Sequence, residues 1–129
     1  MPDRSRDWLR QAERDLEQAE ESARSGKHEW ACFAAHQAAE KAVKALHLAR
    51  GQEAWGPSVA RLLRELPEES QAVEGLEGMA HVLDGYYIPA RYPNGHPEGA
   101  PFEHYGELQS RQAVDYARQI LAFVRAQMA

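Results

Sequence analysis

Arg91 and His96 share one loop segment, and their side chains are of types that suit phosphate chemistry. Tyr92, Pro93, Asn94 and Gly95 separate them. A guanidinium grips a phosphate through paired, charge-assisted hydrogen bonds and stabilises the charge that builds as the phosphate reacts. An imidazole moves a proton near neutral pH, and the 2′-hydroxyl of RNA offers one to move. Such a pair needs no metal, and it selects RNA over DNA because the attacking group is that hydroxyl. The competing reading has Arg91 bonding loop carbonyls or a carboxylate, with His96 exposed on the loop.

A second set lies on a helical stretch. His36, Glu40 and Lys44 recur four apart, and so do Gln37 and Lys41. Polar groups on an otherwise apolar helix must meet partners. Either they face a cleft and help to bind nucleotide or RNA, or Glu40 and Lys44 pair along the helix while the others bond the loop. His104, beside Tyr105, and the loop rings Tyr87 and Tyr92 complete the candidate binding set. Metal chemistry is not expected. No histidine has a glutamate three residues earlier, and His36/Glu40 and Glu77/His81 are single four-spaced pairs. There is no phosphate loop and no G-x-G-x-x-G, so no cofactor is expected. Arg6, Arg10 and Arg14 form a row with acidic neighbours, which is either a solvated face or a phosphate contact.

The elements that must hold these residues are helical. Apolar residues at spacings of three and four predict helix 1 over about Asp7 to Ala23, with Asp3 or Ser5 as its cap. Helix 2 is expected over about Trp30 to Arg50; it is apolar over most of its circumference and therefore central. After a loop at Gln52 to Pro57, a short helix follows from Ser58, with Val59, Leu62, Leu63 and Leu66 inward. A fourth spans about Glu69 to Leu83, with Val73, Leu76, Met79, Ala80 and Leu83 on one face. The last runs from Phe102 or Glu103 to Gln127. Between these two lies GYYIPARYPNGHPEGAP, residues 85–101, with prolines at 89, 93, 97 and 101. That spacing excludes a helix and predicts an extended, restricted loop, packed down by its aromatic residues. The fold class is all-α: an antiparallel up-and-down bundle of four or five helices, with a long proline-rich loop before the last helix.

With 129 residues, 43% hydrophobic and 27% charged, the chain reads as one domain, 1–129, with an ordinary core. The net charge of −5 argues against a generic nucleic-acid coating protein. That excess is local, since residues 67–85 carry five acidic groups and no basic ones. No apolar run is long enough to span a bilayer, and the charged N-terminus lacks a signal-peptide core. One cysteine, Cys32, excludes an internal disulfide framework, reads as a small buried apolar residue and fits a reducing cytoplasm.

Three segments carry a family resemblance: His36-Gln37-Ala38-Ala39-Glu40-Lys41-Ala42-Val43-Lys44-Ala45-Leu46, Tyr87-Ile88-Pro89-Ala90-Arg91-Tyr92-Pro93, and Asp15-Leu16. Together, and in this order, they resemble a HEPN domain (higher eukaryotes and prokaryotes nucleotide-binding), from Trp8 to about Val124. The resemblance implies a helical bundle, commonly a homodimer, that acts beside a minimal nucleotidyltransferase and binds nucleotide or RNA. Several such pairs are toxin and antitoxin, and the HEPN member is then a metal-independent ribonuclease. That branch carries an arginine followed four to six residues later by a histidine, which Arg91 and His96 fit as the catalytic pair. Some toxins have a tyrosine two residues after the histidine, where the partner attaches a nucleotide; Glu98 stands there in this chain. The alternative from the residues alone is a non-catalytic helical binding or assembly module. The alanine-rich central helix and the acidic balance suit it.

Overall fold

The computed structural model describes residues 3–71 and 74–129, and they form an all-α bundle. Its helices are α1 (Ser5–Arg24), α2 (His28–Ala49), α3 (Val59–Arg64), α4 (Leu76–Asp84), α5 (Pro101–His104) and α6 (Glu107–Met128), with 3-10 turns at Glu68–Ser70 and Pro93–Gly95. No strand occurs among the described residues.

Helix α2 is the axis, as its apolar circumference predicts, and it touches every other helix. Ala31, Ala35, Ala38, Ala39, Ala42 and Ala45 are all fully buried along it. A methyl side chain keeps helix propensity high and lets a neighbouring helix approach closely. Leu9, Ala12, Leu16 and Ala19 of α1 pack onto this surface. Gly26, at φ +81, makes the tight turn between the two helices, a conformation that glycine adopts at no steric cost.

Long-range polar contacts fix the helix directions. Lys41 Nζ meets Asp15 at 2.5 Å, and Lys44 lies near Trp8, so α1 and α2 are antiparallel. Arg118 pairs with Glu20 and Arg125 with Glu13, so α6 is antiparallel to α1. His28 Nδ1 lies 2.7 Å from the Ser110 hydroxyl at one end, and Arg50 donates to the Gln127 carbonyl at 2.8 Å at the other. Helix α6 therefore runs parallel to α2, the chain having been carried back by α3 and α4.

Four expectations need correction. Helix 1 begins two residues earlier than the periodicity suggests, and its cap position is Arg4; Asp3 accepts the Ser5 amide at 2.8 Å from just outside. The fourth helix begins at Leu76, not Glu69, because Gly75 at φ +96 enforces a turn before it. Of the face assigned to that helix, Val73 lies outside the described residues. The last helix is broken at Tyr105 and Gly106, both extended, after the single turn of α5. Gln109 Oε1 accepts the Gly106 amide at 2.9 Å and so starts α6 afresh. The proline loop is not extended throughout. Residues 85–91 coil through turns, with the Ala90 amide on the Tyr86 carbonyl and the Tyr92 amide on the Ile88 carbonyl. Pro89 needs no donor there, and Pro93 opens the short 3-10 turn, where its missing amide costs nothing.

Cys32 is fully buried in the core. Burial, followed by the charge of Glu29, pushes its thiol up to about 12, against the opposing hydrogen bond with Tyr86. A thiol so placed is inert, as its reading as a core residue requires.

Candidate functional site

The loop packs at one end of the bundle, where α2 and α6 begin. Its first turns continue from α4 and lay Tyr87 across α2. The Tyr87 ring sits 5.2 Å from that of His36 and 6.3 Å from that of Phe33. Arg91 then folds back. Its Nε donates to the Tyr87 carbonyl at 2.8 Å. Its guanidinium carbon lies 4.4 Å from the centre of the Phe33 ring, 4.8 Å from Tyr87 and 5.0 Å from Tyr92. Three aromatic rings thus hold one cation, and each cation–π contact contributes about 0.5–1 kcal/mol at exposed sites. No carboxylate pairs with Arg91 among the described residues. Among the described residues its two terminal nitrogens have no protein acceptor, and no buried side-chain polar atom is left without a partner. They are therefore not sealed from solvent and have donors to spare for an anion.

His96 is placed by different neighbours. Its Nε2–H donates to the Pro89 carbonyl at 2.7 Å, because a carbonyl only accepts. The neutral ring then carries its lone pair on Nδ1, which faces solvent by the same argument. His96 stacks on His104, centroids 4.1 Å apart and planes 2° apart, and meets Tyr105 edge-on at 5.7 Å. His104 is itself anchored, its Nε2–H on the Glu98 carbonyl at 2.6 Å. Arg91 thus belongs to the α2 side of the loop and His96 to the α5 side, and no hydrogen bond joins the two side chains among the described residues. Arg91 makes the loop-carbonyl bond of the competing reading, whereas His96, which that reading leaves exposed on the loop, is half-buried and bonded to Pro89.

Gly95 lets the loop close on itself. A Cβ there would sit 2.8 Å from the Pro89 Cα, a distance real side chains do not reach. Gly95→Ala is expected to cost about 1–3 kcal/mol, as overpacking does. It would also displace the carbonyl that orients His96. Thermal unfolding checks the first effect, and the NMR shift of the His96 ring checks the second.

The helix-2 set divides. His36 is fully buried: Nε2–H donates to the Pro57 carbonyl at 2.8 Å, lies 3.3 Å from Asp84 Oδ1, and Nδ1 receives the Gln37 amide at 3.3 Å. It supports the site from beneath and touches no open surface. Lys44 pairs with Glu40 at 2.8 Å, the i,i+4 contact the spacing allows. Gln37 and Lys41 line an open groove of about 500 Å³ between α1 and α2, together with Gln18, Ser22, Lys27, Trp30 and Phe33. Phe33 belongs both to this groove and to the Arg91 cage, so the two adjoin at that ring. His47 is buried, with its Nε2–H on the Leu62 carbonyl at 2.7 Å.

Sequence reasoning missed Phe33, Trp30, Lys27 and Asp84. The first two were legible in principle: Trp30, Phe33, Gln37, Lys41 and Lys44 recur at three and four, one stripe of α2. Asp84 had no signal. It accepts the Ser58 hydroxyl and the Val59 and Ala60 amides, capping a helix some 25 residues away in sequence. Burial alone would raise its carboxyl, but the hydrogen bonds from His36, Val59 and Ala60 outweigh that and hold it below the ordinary range.

A family model described as the HEPN domain matches residues 5–127. The crystal structure of TT1696 from Thermus thermophilus is similar to this chain at 52% identity, over 98% of this chain and 99% of that one, with a TM-score of 0.95. An archaeal HEPN homologue, also a crystal structure, is 40% identical over 100% of both chains, with a TM-score of 0.82. A HEPN domain protein from Thermotoga maritima is 35% identical over 92% of this chain and 94% of that one, with a TM-score of 0.75. Human sacsin is 31% identical over 97 residues, which is 72% of this chain. The chain spans about 2% of the length of that curated relative.

Proposed function

Because the chain belongs to the HEPN domain family, whose model spans residues 5–127, we propose that it binds nucleotide or RNA through Arg91 and acts beside a minimal nucleotidyltransferase in the cytoplasm. The observation that carries this reading is a guanidinium caged by Phe33, Tyr87 and Tyr92 with both terminal nitrogens open. The rings fix its direction without neutralising its charge, so a phosphate meets a pre-aligned fork of donors. The groove beyond Phe33 supplies Trp30, 49% exposed, for a base to stack on, and the amides of Gln18 and Gln37 for its polar edge.

A metal-independent cleavage follows from the same groups. His96 Nδ1 takes the proton from a ribose 2′-hydroxyl. The freed oxygen attacks the adjacent phosphorus, the bond to the 5′-oxygen breaks, and that oxygen leaves with a proton from water. The products are a 2′,3′-cyclic phosphate and a 5′-hydroxyl. Arg91 offsets the charge building on the phosphoryl oxygens. In a homodimer with the loops facing a shared axis, Arg91 of one copy and His96 of the other serve one strand.

The test incubates RNA with the purified protein and with Arg91→Ala and His96→Ala. Cleavage lost in both variants supports the nuclease; equal cleavage by all three removes these residues from it. The second reading, a non-catalytic assembly module, is favoured by the exposure of Ile88 (44%) and Tyr92 (48%) beside Arg91, as expected of a partner-facing surface. Native mass spectrometry with the nucleotidyltransferase decides that point. A stable heterocomplex without RNA cleavage selects the module.

A further inference from the structure

The seam between α1 and α2 extends well beyond Arg91. From the groove lined by Trp30 and Phe33, Lys41 leads into a second of about 520 Å³ lined by Trp8 and Gln11. Trp8 in turn walls a third, about 390 Å³, closed by Leu48, Ala54 and Trp55. All three tryptophans of the chain line this one face, and so do all three of its lysines. Trp8 is 37% exposed, Trp30 49% and Trp55 74%. Burial energetics alone would turn rings of this size inward.

The charge is equally segregated. Arg4 and the three lysines face Asp7, Asp15, Glu40 and Glu53, so the seam itself is neutral on a chain of net charge −5, and Arg91 adds a positive group beyond Phe33 at its end. Lys41 and Lys44 are ion-paired, which damps their pull on a phosphate. Lys27 and Arg91 have no carboxylate partner among the described residues, so they set the anchored end. The rings carry the rest.

Distance decides what kind of ligand the face fits. Trp30 and Lys44, which lies 5.9 Å from the Trp8 ring, are fourteen residues apart on α2, about 21 Å at 1.5 Å per residue. No mononucleotide reaches both. A strand stacked at about 3.4 Å per step spans that length in roughly six nucleotides. A duplex hides its base faces, so rings set along a groove favour a single strand.

We propose that the whole α1–α2 seam is a track for single-stranded RNA, with a phosphate held at Arg91 and Lys27 and bases stacked on Trp30, Trp8 and Trp55. This rests on the reading of the Arg91 end as a nucleotide site, and the test separates the two. The seam's tryptophans are the reporters. Quenching of their fluorescence is titrated at low salt with adenosine monophosphate, a riboadenylate tetramer and a riboadenylate decamer. The decamer is expected to bind at least tenfold more tightly than the monophosphate. Trp55→Ala is expected to weaken decamer binding about tenfold, the size of one lost base stack. Its melting temperature should hold, since this ring is exposed. Equal affinity for all three lengths overturns the track and leaves the Arg91 site standing. No binding of any of them overturns both. A Trp55→Ala variant that dissociates a dimer by light scattering, with decamer affinity unchanged, assigns the seam to a second copy of the chain and also overturns the proposal.

Discussion

Arg91→Ala is expected to lower affinity for RNA and for nucleotide about a hundredfold, the upper range for hydrogen bonds to a charged group. The protein should still fold. Arg91 is a surface-edge residue whose contacts are one bond to the Tyr87 carbonyl and three ring faces. Taken at their low ends, these contacts together cost about 2 kcal/mol when lost, which moves a domain of this size by several degrees in melting temperature. The more searching variant is Arg91→Lys. It keeps the positive charge and the long stem but loses the planar fork and the face that stacks between rings. If charge alone bound the phosphate, lysine would restore most of the affinity. The cage predicts that it restores little, because an ammonium is more strongly hydrated and is not oriented by Phe33 and Tyr92. Phe33→Ala should then mimic part of the loss, since the ring that aims the guanidinium also forms the groove wall. Calorimetric titration of all three variants, with circular dichroism as the folding control, checks these outcomes.

What the sequence made legible followed from periodicity and from residue type. The alanine run of α2 announced a central helix, and the buried alanines confirm why: helices packed around α2 leave those positions room for little more than a methyl group. The stiffness of the segment around Arg91 was equally visible in its prolines. What periodicity does not resolve is the boundary between core and groove on a helix apolar most of the way round. His36 and Gln37 are adjacent in sequence; one is fully buried and the other lines the groove. Only the positions of Pro57 and Asp84, supplied by distant chain, decide which. The same limit hid the Arg91 cage. Phe33 reads as one more core residue until the loop is laid over it. The break before α6 was missed for a different reason. Tyr105 continues an apolar stripe that looks unbroken, whereas its ring packs on Tyr86 and His96 and its backbone is extended.

The second large effect belongs to Asp84, which touches no ligand in any version of the mechanism and holds the frame in which Arg91 is aimed. It closes α4 while its two oxygens receive the Val59 amide at 2.7 Å, the Ala60 amide at 3.1 Å and the Ser58 hydroxyl at 3.2 Å. These donors are the free N-terminal groups of α3, so one carboxylate satisfies a helix end and complements its dipole. His36 lies against the same carboxylate at 3.3 Å. Asp84→Ala removes the acceptor and strands the amides, and an expected loss of about 2–4 kcal/mol follows. Asp84→Asn should recover less than half of this, because its amide nitrogen cannot accept from Ala60 and Val59 together with its oxygen. The pH dependence gives a second, independent reading. The folded carboxyl sits below its unfolded value of about 3.9, so the folded state favours the charged form. Its contribution is complete above that value and is lost as pH falls through the depressed folded value. The stability difference between the native chain and Asp84→Asn should therefore be constant at neutral pH and shrink below about pH 4. Urea unfolding at a series of pH values measures it. Because α4 leads directly into Tyr87 and Arg91, the variant should also weaken RNA binding at temperatures where it remains folded. That loss should appear with the Arg91 guanidinium intact, separating a residue that positions the site from one that grips the phosphate.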